Sequence, residues 1–278
     1  AYFLDESHGF NSVHGRMAPI STGAYLANHN LVYIGVSGDG DSASIGLGNF
    51  LHMVRRHVPM IYIIENNGVY GLTKGQFSAT ADKGSLSKGG VINQSEPIDC
   101  CALAIQMGCE YVARTFSGDF KHLGPLIKGA LSHTGTALID IVSPCITFNN
   151  HEGSTKSLAY AKSHEEQLHE IGFVPQHEPI TADYDAGEIT KIDLPDGSSI
   201  LLKKLERNHD PANKLKALNL LMEASESQLF LTGLIYCRSD TNPIEDQLNL
   251  VDESLATLPE SMLRPPPDKL REVMDSLS

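Results

Sequence analysis

The chain has 278 residues, 41% of them hydrophobic, which is enough for one large domain and a smaller appendage. It has no run near the ~18 uninterrupted apolar residues of a membrane span and no basic-then-apolar leader, so a cytoplasmic protein is expected. A formal net charge of −13 argues against nucleic acid as a partner, since phosphate binding draws on an excess of Lys and Arg. The five cysteines, Cys100, Cys101, Cys109, Cys145 and Cys237, are an odd set without framework spacing, unlike a disulfide-stapled secreted domain.

Residues 31–37 (LVYIGVS) form a short, β-branched apolar run entering Gly38-Asp39-Gly40-Asp41, as a buried strand does before a tight turn. Asp41 and Ser42 are then placed to cap a helix running to about His57, with Ile45, Leu47, Phe50, Leu51 and Val54 as its sheet-facing stripe. Residues 58–64 (VPMIYII) are nearly all apolar, the pattern of a strand buried on both faces, and complete a βαβ unit. Beyond a polar stretch at 71–96 the rhythm continues with a helix at 98–107, a strand at 110–114, a helix at 119–132 and a strand at 137–142. The predicted fold over residues 1–150 is therefore α/β, a doubly wound, mostly parallel sheet that binds ligands at the carboxyl ends of its strands.

After residue 150 the sequence turns His/Glu-rich and Pro-interrupted. Residues 188–203 give two strand-like arms around Pro195-Asp196-Gly197, a hairpin signal. A helix at 211–224, a strand at 229–236 and a last helix after Pro265-Pro266-Pro267 follow. Residues 151–278 are expected to form a small α+β extension packed on the core or on a partner subunit.

The most informative feature is Gly38-Asp39-Gly40 followed, after twenty-five residues, by Asn66-Asn67. Asp39 and Asn67 stand at the ends of two strands joined by one crossover helix, and they meet only if those strands are neighbours. A carboxylate, an amide oxygen and a backbone carbonyl at Val69 suit Mg²⁺, which takes oxygen ligands and shares them with phosphates. Glycines let a diphosphate approach the backbone N–H groups, with a helix start behind to favour the anion. Each half alone is also met in ordinary turns, where Asp caps and Asn-Gly pairs are common.

Together with His14-Gly15-Arg16, Thr22-Gly23, Leu26-Ala27-Asn28, His52, Arg55-Arg56 and the run Tyr70 to Gln76 (YGLTKGQ), this pattern resembles the beta subunit of 2-oxoacid:ferredoxin oxidoreductases, especially the 2-oxoglutarate type. The resemblance is strong over about 1–150. It implies thiamine diphosphate and Mg²⁺ as cofactors, with Asp39, Asn67 and the Val69 carbonyl as metal ligands. Gly38, Gly40 and Asp41 would form the diphosphate cradle, and Tyr70, Gly71, Leu72 and Thr73 the loop along the cofactor. His14, Arg16 and Thr22 would belong to the catalytic mouth where the 2-oxoacid enters. The implied reaction is oxidative decarboxylation of 2-oxoglutarate to succinyl-CoA, with coenzyme A as co-substrate and electrons passed through a [4Fe-4S] cluster to ferredoxin. The family's cofactor-activating glutamate lies on the alpha subunit, so that subunit is an expected partner. Arg55, Arg56 and His57 are a weak hint of a basic patch where an acidic electron carrier could dock.

The family has three cluster cysteines upstream of its His-Gly-Arg motif and a fourth in Ser-Pro-Cys; only the fourth is present, as Ser143-Pro144-Cys145. Truncation of a longer protein accounts for this more simply than loss of the cluster, and Cys145 is the expected iron–sulfur ligand. Where the family often has Lys after Thr-Gly, this chain has Tyr25, which weakens any transfer of substrate or coenzyme A contacts there. His164 and His169 in HEEQLHE stand five apart, about 140° around a helix, unlike zinc ligands at i and i+4. Cys100 and Cys101 are expected as one core and one surface residue rather than a redox pair. Two other readings share the Gly-Asp-Gly…Asn-Asn pattern: a non-oxidative thiamine-diphosphate decarboxylase or synthase, and a non-catalytic subunit that keeps the fold.

Overall fold

The computed structural model describes residues 7–87, 90–143, 182–193, 199–227 and 229–277. Its strands are β1 (Ile34–Gly38), β2 (Ile61–Asn66), β3 (Val69–Tyr70), β4 (Gln76–Phe77), β5 (Tyr111–Phe116), β6 (Ala137–Val142), β7 (Ile189–Asp193), β8 (Ser199–Lys204) and β9 (Phe230–Cys237). Seven of them form one sheet in the order β1-β2-β6-β5-β9-β8-β7, while β3 and β4 make a separate ribbon. The first four in that order run parallel, β9 lies antiparallel to β5 and parallel to β8, and β7 pairs antiparallel with β8. This is the α/β, mostly parallel sheet that the sequence predicts.

Alternation along each strand decides which core a side chain enters. In β2, Tyr62 and Ile64 join the larger cluster while Ile61 and Ile63 join the second, so a strand apolar at every position fits only a sheet covered on both sides. The larger core is roofed by α1 (Met17–Ala27), α2 (Leu47–Arg55), α3 (Cys100–Met107) and α5 (Lys214–Glu226), and the second by α4 (Phe120–Leu131). Leu221 and Ile235 sit in the same core as Ile64 and Leu138, and each fully buried side chain of this size contributes roughly 1.5–3 kcal/mol. The described residues beyond 181 thus extend the sheet through β9, β8 and β7 and cover one of its faces with α5.

Local signals set the helix ends. The Asp99 carboxylate accepts the Ala102 N–H at 2.9 Å to start α3, and Gly108, at φ 97°, ends it in the left-handed turn that glycine adopts without strain. Asp119 and Asn213 cap α4 and α5 in the same way.

Two expectations are corrected. Asp41 does not cap a continuous helix: Gly40–Ile45 is a π turn, closed by the Gly46 N–H on the Asp41 carbonyl at 2.8 Å, and α2 begins only at Leu47. The turn requires glycine at its end, since a Cβ at Gly46 would lie 2.6 Å from that carbonyl and 2.8 Å from the Gly15 carbonyl. Ile45 is consequently turned out of the stripe, which is carried by Phe50, Met53 and Val54. Cys100 and Cys101 are both buried, because α3 is enclosed by the sheet on one side and by α2 and α5 on the others.

Candidate functional site

β1 and β2 are direct parallel neighbours, with Gly38 opposite Glu65, so the residues that follow them emerge side by side. They open onto a cleft of about 560 Å³. Gly38 to Asp41 line one wall, Asn67 and Val69 to Thr73 the other, and His14 lies at the rim.

Asp39 is almost fully buried at 1% exposure. Its Oδ2 accepts the Gly68 N–H at 3.1 Å and the hydroxyls of Ser78 and Thr80. Among the described residues no Lys, Arg or His pairs with it. Three neutral donors therefore hold one oxygen of a buried carboxylate, and no described hydrogen bond reaches the other, Oδ1. Gly68 stands at φ 72°, a backbone geometry that suits glycine and turns its N–H toward Asp39.

The Asn67 side-chain oxygen accepts the Val69 N–H at 3.0 Å, an Asx turn. In the ribbon, Val69 faces Phe77 and Tyr70 faces Gln76, while the Ser78 N–H bonds the Gly68 carbonyl at 3.0 Å. Hydrogen-bonded and non-bonded pairs alternate along such a ladder, so Val69 belongs to a non-bonded pair and its carbonyl points away from β4. A residue's N–H and C=O leave a strand on the same side, which puts the Val69 carbonyl on the side of Asn67. Carboxylate, amide and carbonyl make a hard oxygen set that fits Mg²⁺ shared with phosphate.

The two glycines of Gly-Asp-Gly differ in their surroundings. A Cβ at Gly40 would lie 2.4 Å from the Tyr70 ring, whose hydroxyl donates to the Gly40 carbonyl at 3.1 Å. At Gly38 a Cβ would meet nothing within 4 Å, so that side of the wall is open space a diphosphate can fill. The turn of YGLTKGQ is closed by the Gly75 N–H on the Tyr70 carbonyl at 2.9 Å and by a Thr73 to Gln76 side-chain bond, and it leaves Leu72 88% exposed at its tip.

Asp41, expected in the diphosphate cradle, lines the cleft but spends one oxygen on His14, whose Nδ1 donates to Oδ1 at 2.7 Å. That bond, with the nearby negative charge, holds the His14 imidazole above its ordinary pKa. The other ring nitrogen, Nε2, has no described hydrogen bond. Gly15, at φ 71°, brings this loop against the π turn, and the Asn49 side chain donates to its carbonyl at 2.9 Å. Arg16 and Thr22 do not line the cleft. Arg16 is exposed at the start of α1, and the Thr22 hydroxyl is bonded back to the Ala18 carbonyl at 2.7 Å within the helix. Tyr25, in place of the family's lysine, is buried against Tyr33 in the core, and burial together with Glu245 pushes its phenol well up. His57 leaves the basic patch, since its ring is bonded to buried Glu110 at 2.5 Å. Pro144, Cys145, and His151, His164, His169 and His177 lie outside the described residues.

Sequence reading missed Ser78 and Thr80. The signal was a polar Ser-x-Thr straight after the ribbon, at positions that then prove buried at 6% and 9% exposure. A second buried carboxylate, Asp140, lies further along the sheet. Arg114 bonds it through Nε at 2.8 Å and Asp99 through Nη2 at 2.9 Å, with Arg114 and Asp140 directly opposed on β5 and β6. Burial pushes the Asp140 carboxyl up, against the pull of Arg114.

Residues 2–141, about half of the chain, match the family model described as thiamine pyrophosphate enzyme, C-terminal TPP binding domain. The chain is 39% identical over 183 residues to a 2-oxoacid:ferredoxin oxidoreductase subunit beta of Sulfolobus sp, covering 64% of this chain and 57% of that one. It is 44% identical to the corresponding subunit of Saccharolobus solfataricus, covering 51% and 47%, and 37% identical to 2-oxoglutarate oxidoreductase subunit KorB of Mycobacterium tuberculosis, covering 54% and 40%. The chain thus spans about half the length of the curated relatives it matches. A solved structure of 2-oxoglutarate:ferredoxin oxidoreductase from Magnetococcus marinus, with 2-oxoglutarate, coenzyme A and succinyl-CoA bound, superposes with a TM-score of 0.67 at 25% identity, over 97% of this chain and 76% of that one. With the Gly-Asp-Gly…Asn-Asn cleft formed at adjacent strand ends, these likenesses agree: the chain belongs to the thiamine pyrophosphate enzymes and is similar, among them, to the beta subunits of 2-oxoacid:ferredoxin oxidoreductases.

Proposed function

We propose that the protein containing this chain oxidatively decarboxylates 2-oxoglutarate to succinyl-CoA, as the cofactor-binding subunit of a ferredoxin-linked oxidoreductase. One observation carries the reading: the buried Asp39 carboxylate, paired with no described cation, stands beside the Asn67 amide and the outward Val69 carbonyl on an open cleft with a glycine floor. These three groups would hold Mg²⁺ and through it the diphosphate of thiamine diphosphate, with Gly38 giving the diphosphate its room. When bound, thiamine diphosphate supplies the electron sink that lets a 2-oxoacid lose carbon dioxide.

The chain's own groups bind and orient. Tyr70 to Thr73 form the wall along the cofactor, and His14, tied to Asp41, offers Nε2 at the mouth to donate or accept a proton or to meet a substrate carboxylate. Arg16, exposed on the same loop, is available to an incoming anion, whereas Thr22 would act only by fixing α1. The preference for 2-oxoglutarate is supported by the names of the M. tuberculosis and M. marinus proteins. Coenzyme A as co-substrate, an alpha subunit as partner, ferredoxin as acceptor and a cytoplasmic location complete the proposal. No described helix is long and apolar enough to cross a membrane. Cys145 is proposed as one thiolate of a [4Fe-4S] cluster, which needs four cysteines.

Calorimetry with thiamine diphosphate, with and without Mg²⁺, tests the cofactor: binding that needs the metal is expected, and none in its presence would overturn the reading. On the assembled enzyme kcat/KM should be higher for 2-oxoglutarate than for pyruvate, and the reverse order would refute the substrate. Cys145→Ser in the full-length protein should lower iron content while sparing cofactor binding; unchanged iron would remove Cys145 from the cluster.

A further inference from the structure

We infer that Ser78 and Thr80 are positioning residues for the metal site, forming with the Gly68 N–H a clamp that holds Oδ2 of Asp39 and thereby fixes which oxygen of that carboxylate meets the cation. This deepens the proposed cofactor role of Asp39 and rests on it.

The geometry is specific. Asp39 accepts three neutral donors on a single oxygen, and all three come from the segments that flank the β3–β4 ribbon. The ribbon is closed at its base by the Ser78 N–H on the Gly68 carbonyl at 3.0 Å, so Gly68 and Ser78 are locked to each other as well as to Asp39. Each hydroxyl has one proton. The Ser78 and Thr80 hydroxyls also lie 3.0 Å apart and the Thr80 N–H approaches Ser78 Oγ at 3.4 Å, but the charged carboxylate is the strongest acceptor within reach of the Ser78 proton. Thr80 Oγ1 also lies 3.0 Å from the Asn66 side-chain oxygen position. One proton cannot serve both acceptors, and the charged Asp39 carboxylate is the stronger of the two. The ribbon is anchored in turn by the Ala79 N–H on the Ser44 hydroxyl at 3.1 Å and the Ile98 N–H on the Ala79 carbonyl at 2.8 Å.

The consequence concerns orientation. A carboxylate free to rotate presents either oxygen, or both, to a metal. With Oδ2 saturated, Asp39 offers Oδ1 alone, which suits Mg²⁺ with its strict octahedral demand better than a two-oxygen grip would. Hydrogen-bond partners that orient a ligand typically hold about 10- to 100-fold of metal affinity.

The test is the Mg²⁺ concentration needed for half-maximal thiamine-diphosphate binding, measured by calorimetry on the full-length assembled protein. It compares the unaltered protein, Ser78→Ala, Thr80→Val, the double variant and Thr80→Ser. The two single removals should raise that concentration by about 10- to 100-fold while binding at saturating Mg²⁺ returns toward the original. Thr80→Ser, which keeps the hydroxyl, should restore it. A merely structural role would lower the thermal midpoint and leave the Mg²⁺ dependence unmoved. If the double variant does not fold, the single ones decide. Unchanged Mg²⁺ dependence in Ser78→Ala and Thr80→Val, in a protein that binds the cofactor, overturns the clamp alone. Absence of binding in the unaltered protein overturns the cofactor reading and the clamp with it.

Discussion

Two buried carboxylates on this sheet are treated in opposite ways. Asp140 is neutralised by Arg114, which bonds Asp99 as well, and all three sit where β5, β6 and the start of α3 converge. Asp39 is just as buried but is held by an N–H and two hydroxyls, with no described cation in contact and a cleft beside it. Both solutions satisfy a buried oxygen. Only the second leaves the charge without a counter-ion inside the chain, and that is the property a cation site needs. Burial of an acid alone thus says little about function; what tells is whether its partners are charged.

The largest effect is expected at Arg114. Arg114→Met would leave Asp140 and Asp99 without their cation, and removing one partner of such a pair costs about 3–5 kcal/mol. A matching fall in denaturant midpoint is expected; an unchanged midpoint would show that Asp140 is carried by other groups. Next is Asp39→Ala, which should weaken Mg²⁺-dependent thiamine-diphosphate binding by more than the ~100-fold upper figure for an orienting partner, with little loss of fold. Undiminished affinity by calorimetry would remove Asp39 from the metal site.

The paired glycines sharpen the contrast. Gly40→Ala pushes a methyl group into the Tyr70 ring and should cost about 1–3 kcal/mol of stability by overpacking. Gly38→Ala meets no protein atom, so it should leave the thermal midpoint alone and still reduce cofactor affinity. Equal effects of the two on stability would show that Gly38 is not at open space.

The smallest effect concerns pH. His14 is held above the ordinary histidine pKa of about 6.5 by Asp41, so the pair is formed at lower pH and is lost as pH rises through the folded-state value. Asp41→Asn should bring the His14 titration, followed by NMR, back down toward 6.5. A titration unmoved by that change would mean that His14 is tuned by something else.

Much of the site was legible because its chemistry is local. Asp39 and Asn67 are each one residue past, or next to the last residue of, a strand, and the crossover between them has the length of one helix. The YGLTKGQ turn is read from its own glycines. Arg16, Thr22 and Tyr25 were less legible. They lie on or beside α1, whose low amphipathicity gives no reliable sign of which residues face the cleft and which face the core. Ser78 and Thr80 were invisible for a different reason, since a hydroxyl two residues from another is ordinary in a loop until a carboxylate some forty residues earlier is seen between them.

Alternation and apolar runs along the chain determined the α/β class and the parallel strands and marked two turns that meet if their strands are neighbours, because strand burial and turn chemistry depend on neighbours in sequence. Only the tertiary structure decided that β9 would enter the sheet beside β5, that a π turn packed against Gly15 would precede α2, and that three neutral donors would converge on one oxygen of Asp39. Each of these depends on which backbones touch across long separations in sequence, and contact at that range is set by packing the whole core rather than by any local preference.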